Sequence, residues 1–137
     1  MTTPEVDAVL EANQEFYAAV EAGDIDALRR VWWDHPDTVC LHPGADPIHG
    51  TEGVLRSWSL IMANTPYIQF FLTDVRVSVA GDRAVVTLTE NILAAGSGEL
   101  TDSFQGARAL AMNVFTLTSE GWRVWIHQAA PVLSGES

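Results

Sequence analysis

Three of the four histidines of this 137-residue chain fall in one stretch, WDHPDTVCLHPGADPIHG, running from Trp33 to Gly50. His35, His42 and His49 are spaced seven apart, and the only cysteine, Cys40, lies among them. Four soft-metal ligands this close suggest a zinc-type centre, which needs three or four ligands converging at about 2.0–2.3 Å. A spacing of seven serves that purpose on a helix, but Pro36, Pro43, Gly44 and Pro47 forbid a helix here. In a strand–turn–strand reading His42 and His49 approach across the hairpin, His35 precedes the strand, and Cys40 and His42 share a face, which leaves room for a two-ligand remnant; no metal or other cofactor is expected. Cys40, with no cation beside it, reads as a small buried hydrophobe. Further along, Glu90 is the single acid on a strand face with Val86, Leu88 and Ile92. Apolar surroundings disfavour its charged form and raise its pKa toward values useful for proton transfer. The plainer alternative is an ion pair with Arg108 or Arg123. Gly-Ser-Gly at 96–98 follows a strand but opens no helix, so it reads as a turn and not as a phosphate cradle.

The elements that must position these groups follow from periodicity. In Pro4 to Ala22, Val6, Val9, Leu10, Phe16, Tyr17 and Val20 recur on one helical face, with Thr2 and Glu5 as a capping box and Gly23 as the stop. Asp24 caps a second helix running to about Trp33, and Pro36 ends it. TVCLH and IHG flank a turn as short strands. Thr51 starts a third helix, with Val54, Leu55, Trp58, Ile61 and Met62 on one side, ending at Asn64-Thr65-Pro66. From Tyr67 the period changes to two. Strands alternate on both sides of Gly81-Asp82, a Gly/Ser/acid loop follows, a long strand covers Ala107 to Thr118, and Trp122 to Val132 closes the chain. Helices first and an antiparallel meander after make one α+β domain over 1–137, its sheet curling over the helices.

Composition bounds the function. Eighteen acids against seven arginines and no lysine give a net charge of −11, which repels phosphate backbones and anionic lipid and argues against nucleic acid as a partner. No run of eighteen apolar residues exists, so no membrane span is expected. MTTPEVD carries no basic-then-apolar leader and one cysteine makes no internal disulfide, so the expected location is cytoplasmic.

Three segments carry a family resemblance. FYAAVEAGDIDALRRVWWDHPDTVCLHP, PIHGTEGVLRSW and WRVWIHQAAP resemble, in order and spacing, the nuclear transport factor 2-like superfamily, and within it the SnoaL-like and ketosteroid-isomerase-like domains. The resemblance implies a cone-shaped α+β barrel, three N-terminal helices packed on a strongly curved, mostly antiparallel sheet, with an internal pocket for a small apolar molecule and a homodimer formed through the sheet face. It also implies roles. The isomerases' general base precedes a Pro in the first short strand, which is His42 here. Their oxyanion-hole tyrosine matches Phe16, with Tyr17 beside it. Their protonated acid matches Asn113, before Val114-Phe115. All three positions depart from the pattern, which argues against a steroid isomerase. With Asn113 inward, parity turns Ala109, Ala111 and Phe115 inward, and the same alignment turns Trp125 and His127 inward. The implied pocket is His42, Glu90, Asn113, Trp125 and His127, walled by Phe16, Tyr17, Trp32, Trp58, Val86, Leu88 and Phe115. Such a set suits cofactor-free acid–base chemistry on an apolar carbonyl compound: isomerisation, cyclisation or dehydration. His42 would be the base, Glu90 or His127 a second acid/base and Asn113 the oxyanion donor. The superfamily also hosts non-catalytic binding and homo-oligomeric assembly domains, and that alternative stays open.

Overall fold

The structure, a computed structural model, describes residues 3–95 and 105–132; the expected turn at 96–98 lies outside them. Helix α1 (Pro4–Ala22) starts where Thr3, one residue after the expected cap, accepts the amide of Val6 at 3.2 Å. It stops at Gly23, which takes φ 64°, a left-handed conformation open to glycine at little cost. Helix α2 (Ile25–Val31) is capped by Asp24, which accepts the Ala27 amide at 3.0 Å. It ends sooner than the aromatic run implied, because Trp32 turns extended and bridges Val124 of the sheet. The short strands β1 (Val39–Leu41) and β2 (Ile48–His49) precede helix α3 (Thr51–Asn64). The meander follows: β3 (Tyr67–Ala80), β4 (Arg83–Ala95), β5 (Gln105–Thr118) and β6 (Gly121–Pro131).

The six strands form one sheet in the order β2-β1-β6-β5-β4-β3. Every pairing is antiparallel except β1 with β6. The sheet wraps as a cone but stays open, so it is not a closed barrel. Its inner face and the three helices share one core that includes Val9, Phe16, Leu28, Val54, Val86, Phe115 and Val124. Among the described residues no helix is long and apolar enough to cross a membrane.

Two bulges set which side chains look inward. One lies between Thr73 and Arg76 of β3, where Asp74 adopts φ 55°. The other sits across β5 and β6: Val114 pairs with Ile126 and the next residue, Phe115, pairs with Val124, so Trp125 has no partner of its own. An extra residue reverses alternation along its strand. Trp122 and Val124 on one side of the bulge and His127 and Ala129 on the other are therefore all buried. Trp125 is turned away from the core, which corrects its expected place in the pocket. Its indole N–H donates to the Asp37 carbonyl at 3.1 Å, its ring meets Trp33 edge-on, and the Arg83 guanidinium lies 5.2 Å from its centroid.

Candidate active site

The register brings Val86 opposite Asn113 and Asn113 opposite His127, while Leu72 lies opposite Glu90. Glu90, Asn113 and His127 are thereby buried on the concave face, with α1 across from them. A chain of hydrogen bonds joins the two layers. The Tyr17 hydroxyl donates to Glu90 Oε2 at 2.6 Å. Asn113 Nδ2 donates to the Tyr17 oxygen at 3.2 Å and to Asn13 Oδ1 at 2.8 Å. With both amide hydrogens spent, Asn113 Oδ1 must accept, so the His127 nitrogen 2.5 Å away is Nδ1–H. His127 is thus held as the neutral tautomer with its lone pair on Nε2.

The phenol that seemed lost at Phe16 is supplied one residue later by Tyr17. Helix α1 lies inside the wrap of the sheet, so its buried stripe is wide enough to take both neighbours. Phe16 itself packs against the rings of Tyr17, Trp32, Trp58 and His127 at centroid distances of 4.9, 6.1, 5.5 and 5.0 Å. Trp32 and Trp58 are buried, and their indole nitrogens have no hydrogen-bond partner among the described residues. Val86, Leu88 and Phe115 are buried on the same inner face as Glu90 and Asn113.

His42 stands apart from this chain. Its Nε2 lies 2.9 Å from Ser57 Oγ and 3.5 Å from Cys40 Sγ, and its ring meets Trp58 edge-on at 4.8 Å. Ser57 donates its proton to the Val54 carbonyl at 2.7 Å, so it receives Nε2–H and leaves the Nδ1 lone pair of His42 without a hydrogen bond among the described residues. Cys40 is buried, and burial pushes its thiol up to about 12, which makes it inert as a nucleophile. His35 stacks on Trp33 at 3.8 Å and His49 sits on the edge strand, away from both. Among the described residues no three His, Cys, Asp or Glu side chains come together as a metal would need.

Burial sets the electrostatics. It raises the Glu90 carboxyl, an effect that the Tyr17 hydrogen bond opposes. Burial first, then the Glu90 charge, pushes the Tyr17 hydroxyl above its ordinary value, so it stays a donor. Burial also lowers His42. His127 falls from 6.5 to about 3, through burial and the neighbouring His42. No arginine reaches Glu90 among the described residues: Arg123 donates to the Trp122 carbonyl, and Arg108 is exposed. The Glu90 carboxylate makes no hydrogen bond other than the one from Tyr17 among the described residues.

A pH prediction follows from His127. Its folded value lies below the unfolded one, so the unfolded chain binds the proton more readily. The stability it contributes is complete above about pH 6.5 and is lost as pH falls toward about 3. At pH 5 the loss is expected to be about 2 kcal/mol. Urea unfolding at pH 7.5 and 5 should show the acid-side slope flatten in His127→Gln; an unchanged slope would place the titrating group elsewhere.

Sequence reasoning missed Asn13 and Ser57. Asn13 had a signal, a polar side chain in the apolar stripe four residues before Tyr17. Ser57 had none, because a serine on a helix is ordinary.

With this geometry in hand, comparison with known proteins is direct. Residues 9–134 match the SnoaL-like domain family. A crystal structure described as a candidate dehydratase from the NTF2-like family, from Streptomyces avermitilis, is 47% identical, with a TM-score of 0.88, over 96% of this chain and 100% of that one. A crystal structure described as a candidate calcium/calmodulin-dependent protein kinase type II association domain from Thiobacillus denitrificans is 27% identical, with a TM-score of 0.77, over 97% of this chain and 98% of that one. F-box protein SKIP8 of Arabidopsis thaliana is 23% identical over 126 residues, and the chain spans half the length of that curated relative. On the extent of the family match and of the similarity to the Streptomyces protein, the chain belongs to the SnoaL-like domain family of the NTF2-like superfamily.

Proposed function

We propose that the protein is a cofactor-free dehydratase acting in the cytoplasm on a small apolar hydroxy-carbonyl compound held between the helices and the concave face of the sheet. The observation that carries this reading is the buried Tyr17–Glu90 pair, a carboxyl with a raised pKa, one hydrogen bond and no arginine beside it. The similarity to a described dehydratase favours water loss over isomerisation or cyclisation. The Glu90 carboxylate takes the proton from the carbon beside the carbonyl, and the electron pair moves onto the carbonyl oxygen as an enolate. The enolate collapses, the hydroxyl on the next carbon leaves with the proton Glu90 took, and the products are an enone and water. His42, neutral near pH 7, accepts the substrate hydroxyl at Nδ1 and orients it. Asn113 has both amide hydrogens spent on Asn13 and Tyr17, so it positions the Tyr17 phenol and is not the oxyanion donor. His127 holds Asn113 in that orientation.

The test is a panel of small β-hydroxy ketones followed by mass spectrometry for loss of water and by enone absorbance. Turnover that drops in Tyr17→Phe supports the reading. Tight binding with no product across the panel would sink it in favour of a binding module.

The kinase association domain at 27% identity favours a second element, self-assembly. Leu110 and Met112, two apart on the outer face of β5, are exposed at 58% and 38%. The chain is expected to be a homodimer through this face, and Leu110→Asp should give a folded monomer by light scattering. A wild-type chain that is monomeric at every accessible concentration would remove the homodimer.

A further inference from the structure

We propose that the groove between the N-terminal half of α1 and β3 is a second ligand site, one that takes a slender aliphatic molecule with a single neutral hydrogen-bond acceptor. The cavity measures about 680 Å³, within the roughly 300–1,000 Å³ of small-molecule pockets. Val6 and Leu10 of α1 face Leu72, Val75 and Val77 of β3 across it. The bulge between Thr73 and Arg76 makes this wall possible. Leu72 and Val77 are an odd number of positions apart, and only the reversal of alternation at the bulge lets both line one groove. The same bulge leaves Val75 at the rim, 39% exposed.

Of the polar side chains that line this groove, Thr3 and Gln14 are exposed and Asn13 is buried. Asn13 is 2% exposed, and its Oδ1 is taken by Asn113. Its Nδ2 donates to no group among the described residues, yet Asn13 lines the cavity. Unlike the enclosed indole nitrogens of Trp32 and Trp58, this amide nitrogen reaches the groove, where an acceptor on a ligand takes its hydrogen. The acceptor is neutral on two grounds: among the described residues no cation lines the groove, and the chain carries a net charge of −11. A ketone, ester or ether oxygen on an aliphatic chain meets both conditions. The site does not depend on the reaction proposed for Glu90, although Asn13 joins it to that residue through Asn113 and Tyr17.

The test is a methyl NMR titration of the full chain with octan-2-one and, separately, with n-octane. Octan-2-one should shift the methyls of Leu10, Leu72, Val75 and Val77 in a saturating manner, and n-octane should bind at least about tenfold more weakly for want of the Asn13 bond. Val75→Asp, at an exposed position, should weaken octan-2-one by a similar factor while the rest of the spectrum keeps its dispersion. Glu90→Gln should leave this affinity unchanged. Shifts confined to Val86, Leu88 and Ile92 on the face that carries Glu90, equal affinity for ketone and alkane, or wild-type affinity in a folded Val75→Asp would each overturn the site.

Discussion

Glu90→Gln is expected to lower turnover by about 10²- to 10⁴-fold, the usual worth of a positioned proton carrier, and at the same time to stabilise the fold at neutral pH. The two effects share one cause. The folded pKa of Glu90 is raised by burial, so the unfolded chain gives up that proton more easily than the folded one. A group of this kind leaves stability intact below its ordinary value near 4.5 and costs stability as pH rises through its folded value. The amide carries no charge to desolvate, and its oxygen can still accept the Tyr17 hydroxyl. The gain should therefore appear at pH 7 and vanish below about pH 4.5 in urea unfolding. Rates of the wild type should rise with pH through an inflection above the ordinary carboxylate range, and that inflection should be absent from any residual activity of the variant. An unchanged rate in a folded Glu90→Gln protein would remove Glu90 from the chemistry. A less stable variant at pH 7 would mean that the carboxylate is held for structure.

The largest loss of stability is expected from Phe16→Ala, at about 3–5 kcal/mol. Phe16 is fully buried, and four rings close on it from α1, α2, α3 and β6 or the residues beside them. Truncation removes transfer free energy and leaves a hole that the surrounding indoles are too rigid to fill. A whole domain is held by only about 5–15 kcal/mol, so the variant should be near its limit at physiological temperature. Activity should fall with it, because Tyr17 is the next residue on the helix and His127 packs on the lost ring. Urea unfolding gives the figure. A cost under about 1.5 kcal/mol would show that the ring borders space rather than core, and would return Phe16 to the pocket wall that the family resemblance implied.

Much of the fold was legible because its signals are local. The apolar stripe of α1, its stop at Gly23, the cap at Asp24 and the hairpin at Gly81-Asp82 each depend on residues a few positions apart. The change of period at Tyr67 likewise marked where helices end and the meander begins. Once the family resemblance turned Asn113 inward, burial of Phe115 was also readable, as was that of Glu90 on its apolar face, since alternation holds along unbroken β4 and most of β5.

Trp125 marks where that reasoning stopped. Counting by twos along β6 is valid only until a bulge, and this bulge is defined by Phe115 pairing with Val124 across the sheet, which nothing within WRVWIHQ announces. The partners of the histidines in Trp33–Gly50 were hidden for a related reason: prolines disperse them, and packing sends His35 to Trp33 and His42 to Ser57 and Cys40. The sequence by itself determined the elements, their order and the identity of the polar side chains placed on apolar faces, because propensity and periodicity act over a few residues. Only the tertiary structure decided which of those side chains meet. Tyr17 finds Glu90 across 73 positions and Asn113 finds Asn13 across 100, and such partners are chosen by the register and curvature of a sheet that forms only when the whole chain has folded.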